Sequence, residues 1–443
     1  MPQLLRQRTP GRPHVVIIGG GFGGIHAARA LKSAEVDVTL VDRTNHHLFQ
    51  PLLYQVATAT LAPSDITVPI RWILRKQRNA EVFMAQVTRI DPELRQVVLD
   101  DEHWSLEYDY LLIATGARHS YFGNEGWEQM APGLKSLEDA LEIRRRFLLS
   151  FEIAEKTDDP EERQTRQTFV IIGGGPTGVE IAGMIPGIAR EAFEQDFRRI
   201  DTRKTRVLLL EGGPRVLSTF PDTLSARACR DLAEFGVEVR TGALVTRIEP
   251  DAVYVGAERI PTTNVIWAAG NAASPLARSL GVPLDRAGRV FVERDLSVPG
   301  YPEVFVVGDL AAVQQPDGSV VPGVAPAAMQ GGRRAARNIL RLIGGQPTEP
   351  FTYNNKGDLA TIGRHRAIAK IGGFKATGTL AWLIWLFVHI MYLVGFRNRV
   401  TVLIQWAYAY ATYQRGVRLI TGTVGTHVEV NPPPVSGPPI RGW

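Results

Sequence analysis

A glycine-rich turn near the start of the chain constrains the fold more than any other feature. The apolar run Val15-Val16-Ile17-Ile18 leads directly into glycines and then into a helix-forming segment. This order predicts a buried strand, a tight turn and a helix whose N-terminus can bind a pyrophosphate. A second strand, Val36–Asp42, ends in Asp42, whose carboxylate is placed to accept a ribose hydroxyl. The glycines with the GxGxxG spacing are Gly19, Gly21 and Gly24.

The same pattern returns in the middle of the chain. The strand-like run Phe169–Ile172 leads into a second set of glycines, and another strand ends in Glu211. An acid at this position favours the unphosphorylated ribose of NADH over the 2′-phosphate of NADPH. Arg215 is near enough in the sequence to leave that preference open. The glycines of this second unit are Gly173, Gly175 and Gly178.

Three further strand ends carry small or acidic residues. Short turns of this kind let the backbone lie close to a bound ring, and an acid after glycine can reach the hydroxyls of a ribityl chain. Two dinucleotide units in one chain also suggest electron transfer between two nucleotides. The residues at these ends are Thr115 and Gly116 after the strand from Tyr110, Gly270 after the strand from Val265, and Gly308 with Asp309 after the strand from Val304.

Composition excludes several kinds of chemistry. The chain has 443 residues, of which 44% are hydrophobic, enough for more than one core. Its single cysteine, Cys229, rules out an intrachain disulfide, a CxxC redox pair and a cysteine-based metal cluster. We expect no metal, so any electron carrier is a bound cofactor. Residues 1–13 lack the apolar core of a secretory signal.

Positive charge is concentrated in the last fifth of the chain. From Phe351 onward there are ten Lys or Arg residues against two acids, although the whole chain is only +5. This segment is also rich in apolar residues, a combination that favours an anionic membrane surface over nucleic acid. Residues 376–396 contain no Lys, Arg, Asp or Glu, and His389 is their only strongly polar group. Their length would suffice to span a bilayer, but aromatic helices with basic edges also lie in the interface.

Local patterns predict the remaining segments. Residues 45–55 have the composition of a loop and turn, residues 136–157 are amphipathic and predict a helix, and residues 158–167 read as a polar linker. The Pro-rich end, residues 431–443, is typical of a disordered tail.

Taken together, these motifs resemble the superfamily of flavoproteins with two dinucleotide-binding domains. The resemblance implies an α/β fold with two interleaved Rossmann-like domains, FAD in the first and NAD(P)H in the second, plus a C-terminal membrane-associating helical region. The FAD-binding domain would comprise residues 1–120 and 270–350, with the NADH-binding domain at 121–269. Residues 351–443 would form the quinone-side and membrane-anchoring region.

Three more stretches resemble one family, the type II NADH:quinone oxidoreductases. These are the loop from Asn45 to Ala57, the segment Ala325–Gln330, which is similar to the family's AQxAxQ motif, and the segment Tyr353–Gly363, which is similar to YxxKGxxAxIG. The first glutamine of AQxAxQ is Pro326 here, which shifts the expected quinone contacts toward Gln330 and Lys356 and leaves the preferred quinone open.

The resemblance assigns roles to individual residues. It places Gln50 at FAD, Glu180 beside the nicotinamide, and Gln330, Lys356 and Leu359 at the quinone. An alternative role for Glu180 is to stabilise the dipole of its helix near the N-terminus. Hydride transfer from NADH to FAD, followed by transfer of two electrons to quinone without proton pumping, requires mainly positioning of rings and exclusion of water.

The sequence also leaves alternative functions to consider. A ferredoxin- or rubredoxin-type reductase would use the same cofactors without the apolar C-terminal helices, and a slow redox sensor would resemble apoptosis-inducing factor. A sulfide:quinone oxidoreductase would need a cysteine pair. The expected location is the cytoplasmic face of the cell membrane as a peripheral protein. For the apolar segment, a buried core helix or the interface of a homodimer is the alternative.

Overall fold

The computed structural model describes residues 9–100, 102–412 and 417–420. The tail predicted to be disordered, residues 431–443, lies outside these ranges. The strands are β1 His14–Ile18, β2 Asp37–Asp42, β3 His46–Leu48, β4 Thr67–Pro69, β5 Ala80–Met84, β6 Val87–Asp91, β7 Gln96–Leu99, β8 Trp104–Glu107, β9 Tyr110–Ile113, β10 Ala117–His119, β11 Thr168–Ile172, β12 Arg206–Glu211, β13 Val237–Thr241, β14 Val245–Glu249, β15 Ala252–Val255, β16 Glu258–Pro261, β17 Asn264–Trp267, β18 Asn271–Ala273, β19 Val290–Phe291, β20 Ser297–Val298, β21 Tyr301–Val306, β22 Ala311–Ala312, β23 Asp358–Gly363, β24 Arg366–Ile371 and β25 Phe374–Thr377.

The α-helices alternate with these strands in the manner of an α/β protein. They are α1 Phe22–Ala30, α2 Leu53–Ala57, α3 Pro63–Ile66, α4 Ile70–Leu74, α5 Leu137–Lys156, α6 Pro160–Arg166, α7 Pro176–Gly187, α8 Asp222–Glu234, α9 Ala325–Ile343, α10 Gly378–Tyr392 and α11 Phe396–Thr412.

Two parallel sheets carry the two glycine-rich turns. The first has the order β20-β21-β9-β1-β2-β5 and combines strands from both sides of the second unit in the sequence, and the second has the order β13-β12-β11-β17. Among the described residues, β20 and β21 form the antiparallel pair of these two sheets, and the other strand pairs in them are parallel. Each sheet also has a three-stranded antiparallel meander inserted before its last parallel strands, β6-β7-β8 in the first unit and β14-β15-β16 in the second. The predicted α/β class and the repeat are therefore confirmed.

The two units meet the C-terminal region in a shared core. One apolar cluster contains α5, the helices of the second unit, the segment from Phe49 to Ile66 with α2 and α3, the sheet β23-β24-β25, and the buried faces of α10 and α11. A separate cluster fills the first unit. The C-terminal region is thus packed on the dinucleotide units as part of the same core.

Two local predictions are wrong. The segment 45–55, expected to be a loop, forms β3, which pairs with β4, then one 3-10 turn and the start of α2. The polar linker 158–167 contains α6, whose N-cap Asp159 accepts a hydrogen bond from Glu161 N. Sequence patterns missed these elements because they are three to seven residues long and are stabilised by tertiary pairing more than by periodicity.

The apolar run 376–396 does not form one continuous helix. It begins at the end of β25, forms the 15-residue helix α10, and turns at Gly395 (φ +93°) into α11. Across the described ranges, the helices are all too short or too polar to cross a bilayer. The predicted helix 136–157 is confirmed as α5, whose N-cap Ser136 forms a capping box with Asp139.

Helix α7 and strand β23 approach each other at a glycine. A Cβ atom on Gly183 would lie 1.7 Å from the carbonyl oxygen of Ile362, whereas a Cβ on Gly187, at the end of the same helix, would meet nothing within 4 Å. The helix of the second unit can therefore contact the C-terminal sheet backbone to backbone only with glycine at this position.

We expect Gly183→Ala to destabilise the protein by about 1–3 kcal/mol, because the added methyl group overpacks a contact with rigid backbone. Gly187→Ala is the matched control, and it should be neutral or stabilise by up to about 1 kcal/mol through helix propensity. Denaturant unfolding followed by tryptophan fluorescence measures both. Equal stability of the two variants would contradict the close approach.

Candidate functional site

The first glycine-rich turn forms an open cradle at the carboxyl edge of the first sheet. Gly19 has φ +102°, and a Cβ there would lie 2.5 Å from the carbonyl oxygen of Ala114, while a Cβ on Gly24 would lie 1.8 Å from the carbonyl oxygen of Gly19. Gly21 is the N-cap of α1 and has no side-chain cap, and the space beside it is empty. The first N–H groups of α1 are thus available to an anion.

Asp42 holds this turn in place. Its Oδ2 accepts a hydrogen bond from Gly20 N (2.6 Å), and its Oδ1 accepts from Thr44 N (2.7 Å) and Thr44 Oγ1 (2.8 Å). On the other side of the turn, His47 Nδ1 donates to the carbonyl of Gly20 (2.9 Å). The carboxylate therefore lies where the sequence places it, at the end of β2 against the glycine turn.

Two buried polar atoms near this turn lack partners. Among the described residues, Thr115 Oγ1 and His47 Nε2 make no hydrogen bond. Thr115 follows β9, which pairs with β1, and His47 is in contact with the glycine turn. A buried polar group without a hydrogen bond destabilises the fold unless a ligand supplies the partner. The cradle and these atoms fit the FAD that the motifs imply, and His47 is a site residue that the sequence reading quoted only within a loop.

The remaining residues predicted for FAD lie at the same edge of the sheet. Gly116 has φ +65° and lies three residues after the end of β9, and Gly308 has φ +72° and lies two residues after the end of β21, the neighbouring strand. Asp309 follows in a 3-10 turn. The side-chain amide of Gln50 is engaged in a hydrogen bond, in which its Nε2 donates to the carbonyl of Lys135 (2.9 Å).

The second glycine-rich turn has the same backbone features as the first. Gly173 has φ +110°, and a Cβ on Gly178 would lie 1.9 Å from the carbonyl oxygen of Gly173. Gly175 is the N-cap of α7, again without a side-chain cap. Glu211 Oε2 accepts from Gly174 N (2.6 Å), as Asp42 does from Gly20.

Two further residues bear on this second cradle. Gly270 has φ +77° after β17, where a Cβ would lie 2.8 Å from the carbonyl oxygen of Ser120. Arg215, the residue that left the nucleotide preference open, donates to the carbonyls of Phe220 (2.9 Å) and Ser218 (2.8 Å) and pairs with Asp222. Its guanidinium is therefore engaged within its own turn.

Glu180 lies farther into its helix than expected. The sequence reading placed it in the first turn of α7, but it is the fifth residue of a helix with no acid in that turn, so helix-dipole stabilisation does not explain it. Its Oε1 accepts a long hydrogen bond from Thr361 N (3.4 Å) on β23. Burial raises the pKa of Glu180 to about 8, opposed only by that hydrogen bond, so the carboxyl is mostly protonated at neutral pH.

The residues predicted for quinone gather around β23 and the segment before it. Gln330 on α9 makes two hydrogen bonds to the backbone of Asn354, donating from Nε2 to the carbonyl and accepting from the N–H, both at 3.0 Å. Lys356 is exposed, and Leu359 is half-buried at the start of β23. Glu180 contacts the same strand as Leu359, two residues farther along at Thr361.

Helices α10 and α11 border this region and present an apolar outer face. Their inner faces are anchored by side chains such as Trp385 and Trp406, and Trp406 Nε1 donates to Gln55 Oε1 (2.7 Å). Asn398 Nδ2 donates to the carbonyls of Ser64 (3.3 Å) and Thr67 (3.2 Å). The large exposed apolar side chains are Leu380, Leu383, Phe387, Met391 and Tyr392 on α10, and Val400, Leu403, Ile404 and Tyr408 on α11.

His389 is the polar residue of the apolar run, and it faces inward. Its ring stacks on Trp385 with centroids 4.3 Å apart, and its Nδ1 donates to the Trp385 carbonyl (2.7 Å). Burial lowers the pKa of His389 to about 4, so the ring is neutral. The ring centroid of Phe49, in the segment that leads to α2, is 6.4 Å from the ring centroid of His389.

No cluster of three His, Cys, Asp or Glu residues suited to a metal occurs in the described part of the chain.

Comparison with known families accounts for nearly the whole chain. Residues 13–332 match the pyridine nucleotide-disulphide oxidoreductase family, and residues 355–411 match the NDH2 C-terminal domain. Among solved structures, NDH2 from Plasmodium falciparum in complex with NADH superposes with a TM-score of 0.83 at 20% identity, covering 90% of this chain and 98% of that one. The sulfide:quinone oxidoreductase of Aquifex aeolicus follows the same fold with a TM-score of 0.71 at 23% identity, covering 87% of this chain and 92% of that one.

Sequence relatives are more specific. The type II NADH:quinone oxidoreductase Ndh of Mycobacterium tuberculosis is 47% identical over 428 residues, which cover 94% of this chain and 91% of the relative. The Haemophilus influenzae protein of the same name is 30% identical, with 81% of this chain and 87% of the relative covered. The resemblance seen in the motifs is thereby confirmed: with its two cradles, its C-terminal sheet and this level of identity, the chain belongs to the family of type II NADH:quinone oxidoreductases.

Proposed function

We propose that this enzyme oxidises NADH at the second cradle and reduces quinone beside β23, with FAD held by the first cradle. FAD, when bound, supplies the two-electron carrier between the two substrates. The observation that carries the proposal is the placement of Glu180: its helix begins at the second cradle, and its carboxyl contacts the strand that bears Leu359. One wall thus serves both substrates.

The residues of the first cradle would hold FAD. The N–H groups behind Gly21 would bind the pyrophosphate, with Gly19 and Gly24 giving the backbone the required close approach. The free hydroxyl of Thr115 and the free Nε2 of His47 would hydrogen-bond the cofactor. The glycines and acids at the strand ends complete the set: Asp42, Gly116, Gly308 and Asp309.

The second cradle would hold NADH. Gly173, Gly175 and Gly178 would place the pyrophosphate at the N-terminus of α7, and Gly270 would let the backbone lie close to the nicotinamide. Glu211 would accept the ribose hydroxyls and repel a 2′-phosphate. Arg215 does not compensate for that repulsion, because its donors are bound to Phe220 and Ser218. This arrangement supports NADH over NADPH.

We expect Glu211→Arg to raise the ratio of kcat/KM for NADPH to that for NADH by roughly tenfold to a hundredfold, since a charge-assisted hydrogen bond contributes about 1.5–3 kcal/mol. Steady-state oxidation of each nucleotide measures the ratio. Glu211→Gln is the control, because it removes the charge but keeps an acceptor for Gly174 N. An unchanged ratio in Glu211→Arg would show that Glu211 does not face the ribose.

The quinone side depends on Gln330, Lys356 and Leu359. Gln330 fixes the Asn354 backbone through two hydrogen bonds and so positions the segment that carries Lys356. Pro326, which replaces a glutamine of the family motif, lies in the first turn of α9, where the missing N–H has no intrahelical partner. The motif resemblance assigns the polar contacts with the quinone head group to Gln330 and Lys356, and Glu180 lies against β23, the strand that follows Lys356.

We expect Gln330→Ala to leave flavin reduction by NADH unchanged and to slow reoxidation by a short-chain quinone by roughly tenfold, the equivalent of two lost hydrogen bonds. Stopped-flow absorbance of the flavin separates the two half-reactions. In the unchanged enzyme, reduction of the flavin by NADH and its reoxidation by quinone test the proposed function itself. Gln346→Ala, just past the end of α9 and exposed, is the matched control. Slower reduction by NADH with normal reoxidation would place Gln330 on the wrong side of the flavin.

The outer face of α10 and α11 would seat the enzyme on the cytoplasmic surface of the cell membrane. Exposed apolar side chains recur on α10 at positions 380, 383, 387 and 391, which lie on one helix face, and the exposed Lys375 and Arg397 flank this helix. Such a surface fits a helix lying in an anionic interface. A quinone with an apolar tail would reach β23 from this side. The domain boundaries 1–120 with 270–350, 121–269 and 351–443 belong to the same proposal.

We expect the double variant Leu383→Glu/Phe387→Glu to bind vesicles containing phosphatidylglycerol more than about a hundredfold more weakly, because each inserted side chain contributes about 1.5–3 kcal/mol. Vesicle co-sedimentation measures this. Leu94→Glu/Leu244→Glu changes two equally exposed leucines elsewhere and should have no effect. Normal vesicle binding together with a halved molecular mass would instead assign the face to a homodimer.

A further inference from the structure

The hairpin formed by β24 and β25 exposes two apolar side chains at its tip. The strands are joined by Gly372 and Gly373, and Gly372 has φ +57°, a backbone conformation that favours glycine. Beside this turn, Ile371 and Phe374 are cross-strand partners and are 37% and 51% exposed. Residues directly opposite each other lie on the same face of a sheet. The tip of the hairpin therefore presents a paired apolar surface to its surroundings.

Lysines flank this apolar pair. Lys370 and Lys375 are the next cross-strand pair of the hairpin, and like charges directly opposite each other destabilise a sheet. Asp358 on β23 lies opposite Lys370, whereas Lys375 is on β25, the edge strand of the described sheet. Lys356, two residues before Asp358 and exposed, adds a third positive charge at this end of the sheet. An apolar tip within a net positive surface is complementary to an anionic lipid interface.

The tip lies against the segment predicted to bind quinone. A Cβ atom on Gly357 would lie 2.7 Å from the carbonyl oxygen of Lys370 and 2.8 Å from Cγ1 of Ile371. Because Gly357 directly follows Lys356, the hairpin contacts the predicted quinone segment itself. At its other end, β25 continues at Gly378 into α10, which packs on β24 and has the exposed apolar face. The hairpin thus joins the predicted quinone segment to the helix that would bind the membrane.

We propose that the tip of this hairpin is a second membrane-inserting element, which places Ile371 and Phe374 in an anionic bilayer beside the entrance to the quinone site. Transfer of their apolar surface from water to the lipid boundary drives the insertion, and the lysines remain at the level of the negative headgroups. A hydrophobic quinone would then leave the bilayer where the protein enters it, next to Gly357. This inference rests on the proposed function, which supplies the quinone site and the membrane-bound face of α10.

The first test places a fluorophore at single positions. Cys229 is the one cysteine of the chain, so a Cys229→Ala background accepts one new cysteine, labelled with a nitrobenzoxadiazole probe whose fluorescence rises in apolar surroundings. Phe374→Cys reports on the tip, and Leu383→Cys reports on the outer face of α10. Phe291→Cys, at a phenylalanine on β19 that is 45% exposed, is the matched control. Each FAD-loaded protein is mixed with vesicles containing phosphatidylglycerol and with vesicles of phosphatidylcholine alone.

We expect the fluorescence at position 374 to rise about twofold or more with phosphatidylglycerol vesicles, less with phosphatidylcholine alone, and not at all at position 291. A rise at 383 without one at 374 would overturn this inference alone, whereas no rise at either position and no vesicle binding would defeat the membrane part of the proposed function. Equal rises with both kinds of vesicle would overturn the preference for an anionic bilayer. A rise at 374 without vesicles that grows with protein concentration would assign the tip to a second copy of the chain.

The second test adds a charge to the tip without any label. Phe374→Glu should weaken binding of the FAD-loaded enzyme to phosphatidylglycerol vesicles by about tenfold or more, because a carboxylate would have to enter the lipid boundary. Phe291→Glu is the matched control and should bind as the unchanged enzyme does. Vesicle co-sedimentation measures both, and equal affinities of the two variants would contradict insertion of the tip.

Discussion

One hydrogen bond, formed twice, sets the geometry of this enzyme. In each dinucleotide unit, a carboxylate at the end of the second strand accepts the N–H of the middle residue of the glycine turn, Asp42 from Gly20 and Glu211 from Gly174, both at 2.6 Å. A charged acceptor makes such a bond about twice as strong as a neutral one. It holds the turn open, keeps the helix N-terminus exposed and leaves the cradle ready for a pyrophosphate.

The sequence predicted these two cradles well because their requirements are local. Strand, glycine spacing, helix and acid are all within a short stretch, and each glycine has one steric reason, such as the 1.8 Å that would separate a Gly24 Cβ from the carbonyl oxygen of Gly19. Short elements such as β3 and α6 were missed because distant partners stabilise them. Glu180 lies one residue beyond the first turn of α7, in which the sequence placed it, because the helix begins at Pro176. Its contact with Thr361 joins residues 181 positions apart, which no local pattern reveals.

The same distinction applies to the residues proposed to bind quinone. The motif residues Gln330 and Lys356 were recognised by resemblance, but the sequence could not show that the Gln330 amide is committed to the backbone of Asn354. Nor could it show that one strand, β23, lies against both α7 and α10. The close approach of Gly183 to the carbonyl of Ile362 is one of the contacts by which α7 packs on this strand.

The polar ties of α11 have a mechanical consequence. Trp406 binds Gln55 and Asn398 binds the carbonyls of Ser64 and Thr67, so the outer helices are joined to the segment that continues from β3 and Gln50. Because of these hydrogen bonds, α10 and α11 would tilt on a lipid surface together with the domain that would hold FAD. The depth and orientation at which a bilayer would hold α10 and α11 are therefore also the depth and orientation of the flavin, and a hydrophobic substrate would travel a path of constant length on every turnover.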